Sequence, residues 1–91
     1  MARFTALVQI FVDTSGLDAV ERALSKLDNL EALFEVTGEF DIVALISAKD
    51  SEEFREVIKE RVRTIKGVKA TAISVVLKDV RAPEQVPMIE A

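Results

Sequence analysis

Gly38 and Asp41 stand close together in the stretch Val36-Thr37-Gly38-Glu39-Phe40-Asp41-Ile42, and between them they could serve both ends of a zwitterion. A glycine lets a small molecule reach backbone amides, which donate to a carboxylate, and the Asp41 carboxylate can accept from an ammonium group. Phe40 beside them, and Ile73 later in the chain, are apolar walls of the kind that line small-molecule sites. Each of these residues also has a plain structural role. Gly38 suits a tight turn, Asp41 can cap hairpin amides, Glu39 at the tip can simply be solvated, and Thr71 fits a strand by propensity alone.

Residue types that are missing narrow the chemistry. The chain has no His, Cys, Tyr or Trp, which removes the usual general base near neutral pH, a thiol nucleophile and thiolate metal ligands. We therefore expect no enzyme, no cofactor and no metal site. Glu52, Glu53, Glu56 and Glu60 are dense, but Glu56 with Lys59 and Glu60 with Arg63 read as helix-surface ion pairs. The net charge is −4 with both signs interspersed, so direct DNA binding is disfavoured. Met1-Ala2-Arg3 leads into an apolar run that ends before Asp13, with no cleavage pattern, and no run is long enough to span a membrane. A cytoplasmic protein without membrane attachment is the expectation.

The elements that must position these residues follow from periodicity. In 91 residues, 49% of them apolar, there is room for one domain, expected over residues 1–80 with an irregular tail at 81–91 marked by Pro83 and Pro87. Phe4 to Val12 alternates as a strand, with Phe4, Ala6, Val8, Ile10 and Val12 on one face. Ser15 and Asp18 form a capping-box pattern before a helix that starts near Gly16, buries Leu17, Val20, Leu24 and Leu27, turns Glu21 outward, and ends at Asp28-Asn29. Leu30 to Val36 reads as an edge strand with Leu30, Ala32, Phe34 and Val36 inward. Gly38-Glu39 is the pair a two-residue type II′ hairpin asks for, and the next strand runs from Asp41 to Ala48. Asp50 and Glu53 start a second helix whose stripe is Phe54, Val57, Ile58, Val62 and Ile65, with Gly67 as its C′ residue. Val68 to Leu77 is the last strand.

Two strand-helix-strand units in tandem predict an α+β, ferredoxin-like βαββαβ fold, a four-stranded antiparallel sheet with both helices on one face. The first and third strands, central in that arrangement, carry apolar residues on the second face too. Leu7, Phe11, Val43 and Leu45 therefore predict a second copy packed sheet to sheet, because one small domain leaves that apolar surface in water.

With Val36-Thr37-Gly38-Glu39-Phe40-Asp41-Ile42-Val43, the helix end Ile65-Lys66-Gly67-Val68 and the strand Thr71-Ala72-Ile73-Ser74-Val75-Val76-Leu77-Lys78, the chain resembles the effector-binding (RAM) domain of the Lrp/AsnC transcription regulators over about residues 4 to 80. The resemblance implies dimers formed through the sheets, rings of dimers that are commonly octamers, and small amino acids bound between dimers. It places the ligand at Thr37, Gly38, Glu39, Phe40 and Asp41 of the hairpin and at Thr71 and Ile73 of the last strand. Relatives often carry a second hydroxyl where Ile73 stands, which biases the pocket toward ligands making fewer polar contacts. A strand already begun at Phe4 makes the chain similar to stand-alone RAM modules that lack the DNA-binding domain, with full-length Lrp/AsnC regulators as partners. Two alternatives remain, a structural or partner-binding oligomer without ligand and an enzyme of the dimeric α/β-barrel kind.

Overall fold

The computed structural model describes residues 3–78 and 80; the expected tail at 81–91 lies outside them. Alternation makes β1 (Phe4–Val12), β2 (Leu30–Glu35), β3 (Ile42–Ala48) and β4 (Val68–Val75), and helical spacing makes α1 (Leu17–Leu24) and α2 (Ser51–Val57), the latter continuing into a π-helical turn at Ile58–Val62. The sheet order is β2-β3-β1-β4 and each neighbouring pair is antiparallel. This is the split βαββαβ arrangement, with β1 and β3 central.

One face of the sheet and the two helices make the core. Ala6, Val8, Ile10 and Val12 of β1 and Ile42, Ala44, Ile46 and Ala48 of β3 are buried against Val20 and Leu24 of α1 and Phe54, Val57, Ile58 and Val62 of the second helical segment. The Phe4 ring meets Phe54 at 5.1 Å between centroids, a tilted aromatic contact that pins the start of β1 beneath α2.

Four local expectations are corrected. Ser15 does not cap α1: the chain enters through a 3₁₀ turn at Thr14–Gly16 in which Gly16 N donates to Asp13 O at 2.8 Å, and no side chain caps the helix. Asp13 N is itself held by Gly67 O at 2.9 Å, so backbone bonds stand in for the expected side-chain cap. In contrast, Asp50 caps α2 as expected, with Oδ1 accepting from Glu53 N at 2.8 Å, while Glu53 Oε1 accepts from Lys49 N at 2.9 Å.

The second helix is not uniformly α. A regular helix turns about 100° per residue, which would aim Arg61 between Val57 and Ile65 and push Val62 aside. The π turn, closed by Arg63 N donating to Ile58 O at 2.9 Å, instead brings Val62 fully into the core and leaves Arg61 exposed. Burial of an apolar side chain decides the backbone here.

The third correction concerns β2. Its pairing with β3 shifts between Leu30 and Ala32, so Leu33 and Glu35 lie opposite Ala44 and Ile42, on the helix side, while Ala32 and Phe34 lie opposite Leu45 and Val43 on the open side. Sequence alternation placed Ala32 and Phe34 inward, and a one-residue bulge at Glu31 reverses that. As a fourth correction, Glu21 of α1 does not simply face water. The same reversal sets the Glu35 carboxylate against it, and Glu21 Oε2 is shielded from solvent.

Candidate functional site

The β2–β3 ladder ends at the pair Glu35 and Ile42, followed by Val36 N donating to Asp41 O at 2.9 Å. Thr37, Gly38, Glu39 and Phe40 therefore form a four-residue connection rather than the expected two-residue hairpin turn. Gly38 has φ 135° and nothing within 4 Å of where a Cβ would stand, so this tip is open and its backbone conformation is one that glycine adopts without strain.

Asp41 is anchored on both sides. Its amide donates to Ile10 O at 3.1 Å, and its Oδ2 accepts from Val12 N at 2.9 Å. The cause lies in β1, whose register with β4 shifts between Phe11 and Val12. A carboxylate opening a central strand thus has a structural task, satisfying an amide where the ladder breaks. Asp41 also borders a depression of about 160 Å³ with Val12, Asp13, Thr14 and Leu17.

Phe40 points elsewhere. Its ring stacks on Phe11 at 4.4 Å and 35°, extending the open face of the sheet. On that face Leu7 lies opposite Leu45, Gln9 opposite Val43, and Phe11 opposite Ala70. The residues expected at a sheet-to-sheet contact, Leu7, Phe11, Val43 and Leu45, therefore share one surface. Phe34, Ala32, Ala70 and Ala72 join them, with Thr5 and Ser47 hydrogen-bonded at 2.9 Å at one end of it. Phe34 was missed because nothing in the sequence announces the bulge that turns it outward.

Thr71 and Ile73 lie on the helix side of β4, opposite the buried Ile10 and Val8. Thr71 borders a depression of about 440 Å³ with Arg63, Val68, Lys69 and Ala70. Ile73, 42% exposed, borders one of about 480 Å³ whose other walls include Phe54, Ile58, Glu60 and Arg63. The hairpin residues line neither of these two, so a single chain does not unite the two groups of expected ligand residues.

The Lrp/AsnC ligand binding domain family matches residues 5–86. A homocitrate synthase of Saccharolobus islandicus is 36% identical over 74 residues, which is 80% of this chain and 16% of that protein, and one of Sulfurisphaera tokodaii is 40% identical over 60 residues, 66% and 13% respectively. The chain thus spans only 13–16% of the length of these curated relatives. Among solved structures, a protein from Thermus thermophilus superposes with TM-score 0.79 at 28% identity, covering 89% of this chain and 99% of that one. Escherichia coli AsnC superposes at 0.85 and 16%, covering 92% and 57%. A feast or famine regulatory protein from M. tuberculosis complexed with L-methionine superposes at 0.77 and 24%, covering 91% and 56%.

Proposed function

Because the chain belongs to the Lrp/AsnC ligand-binding domain family, we infer that it is a regulatory module whose self-assembly creates a site for a small amino acid. The observation that carries this reading is the family match, which runs through both central strands, both helices and the hairpin. Sheet-to-sheet packing through Leu7, Phe11, Val43, Leu45 and Phe34 makes the dimer, and further association of dimers into a ring brings the hairpin Thr37 to Asp41 of one copy against β4 of another. Phe40 and Ile73 then offer apolar walls, the hairpin and Asp41 offer polar ones, and Thr71 contributes a hydroxyl. L-Methionine, held by the M. tuberculosis relative, sets the size of ligand to try first.

A thermal-shift screen of the protein amino acids tests the reading. A concentration-dependent rise in melting temperature for one or a few of them is expected, since a ligand that binds only the folded state stabilises it by mass action. No rise with any amino acid at millimolar concentration would favour a structural oligomer instead.

A second reading concerns the partner. Relatives at 36–40% identity are homocitrate synthases that carry this segment as a small part of their length, which favours a module that reports amino-acid supply to an enzyme over one that serves a DNA-bound regulator. Binding to a homocitrate synthase, and not to a full-length Lrp/AsnC regulator, measured by light scattering of the mixtures, would support it; the opposite preference would sink it.

A further inference from the structure

Arg63 is the residue common to the two depressions along β4, the one bordered by Thr71 and the one bordered by Ile73. It follows the π turn directly, and its amide closes that turn on Ile58 O at 2.9 Å. The turn that buries Val62 therefore also fixes where the chain leaves the helix at Arg63. Among the described residues the ion pair is Lys69 with Asp13, at 3.9 Å; the expected pairs of Glu56 with Lys59 and of Glu60 with Arg63 do not form, and Lys69, the other cation near Thr71, already has a carboxylate near it. Asp41 Oδ2 is engaged by the Val12 amide, which suits that residue to a cation and gives nothing to an anion. The amides around Gly38 can serve a carboxylate from the hairpin side; on the β4 side the cation bordering both depressions is Arg63.

We propose that Arg63 holds the carboxylate of the bound amino acid, with the Thr71 hydroxyl as a second donor, in the space between Thr71 and Ile73. This rests on the amino-acid-binding reading above. A guanidinium presents paired N–H groups whose spacing matches a carboxylate, and such a charge-assisted pair is stronger and more directional than a lysine contact. Ile58 and Ile73 beneath it form an apolar floor for the ligand side chain, with Glu52, Glu56 and Glu60 and the cations Arg55 and Lys59 also bordering that depression.

The test uses the oligomeric wild-type chain, screened first with the protein amino acids, and then compares calorimetric affinity for the best ligand with that for its carboxamide, which keeps the amine and side chain but lacks the anion. Wild type should prefer the acid by roughly 10-fold or more, as charged hydrogen bonds of this kind imply. In Arg63→Ala the preference should fall toward unity at unchanged oligomer mass, and Arg63→Lys should restore part of it. An undiminished preference in Arg63→Ala would overturn the assignment while leaving amino-acid binding intact. Absence of any amino-acid binding by wild type would instead overturn the functional reading and this inference with it.

Discussion

Asp41 carries two duties that a single substitution can confuse. Truncation to alanine removes the acceptor for Val12 N and leaves a part-buried amide unpaired, at a cost of about 1–3 kcal/mol. Asp41→Asn keeps an acceptor oxygen while deleting the charge, so it should stay within about 1 kcal/mol of wild type in urea unfolding. If Asp41 faces a ligand ammonium, Asp41→Asn should still weaken amino-acid binding about 10-fold or more; equal calorimetric affinity would confine the residue to its structural role. Glu21 makes a different prediction at the same scale. Its carboxyl is pushed above the ordinary value by hydrogen bonding to Glu35, by burial, and by the charges of Glu35 and Asp18. An acid with a raised folded-state value stabilises the fold fully below its unfolded value and loses that contribution as pH rises through the folded one. The difference in melting temperature between Glu21→Gln and wild type should therefore grow in favour of the variant as pH rises from about 4.5, the ordinary value, to neutrality. A difference that does not change with pH would refute the raised value of Glu21.

At the scale of elements, alternation and helical spacing predict β1 with both its ends, because strict period 2 over nine residues leaves no competing pattern. They fail at β2 and at the π turn for one reason. In both places a single inserted residue, Glu31 in the ladder and one position within Ile58–Val62, resets which side chains face the core, and such an insertion has no composition of its own. The ligand residues suffered accordingly: Asp41 and Thr71 could be picked out by type, but their separation into different parts of one chain depends on registers that only the folded sheet reveals. The glycines were legible, since Gly38 and Gly67 both take positive φ. They should respond unequally to alanine. At Gly67 a Cβ would stand 3.1 Å from Val20 Cγ2, at a φ of 104°, whereas at Gly38 it would meet nothing. Both variants incur backbone strain of about 1–2 kcal/mol, and Gly67→Ala adds displacement of a buried valine. Gly67→Ala should be the less stable of the two by urea unfolding; the reverse order would mean that the hairpin tip packs on something.

For the whole molecule the decisive feature is a sheet with two apolar faces and helices on only one. The bulge in β2 enlarges the open face, adding Phe34 beside Val43, and the Phe40 ring on Phe11 extends it toward the hairpin. Contiguous apolar surface of this kind is uncommon on monomers and marks an association surface. Light scattering should therefore give a mass that is an even multiple of 10.0 kDa at micromolar concentration. Leu45→Lys and Phe34→Lys place a charge in that surface without touching the helix-side core, so both should lower the mass toward one chain while the far-ultraviolet circular dichroism stays that of a folded domain. Phe34→Lys is the sharper of the two, because alternation alone would bury Phe34 and predict unfolding, whereas the observed register predicts a folded, dissociated chain. Loss of circular dichroism in Phe34→Lys would reject that register, and an unchanged mass in both variants would reject the sheet face as the contact.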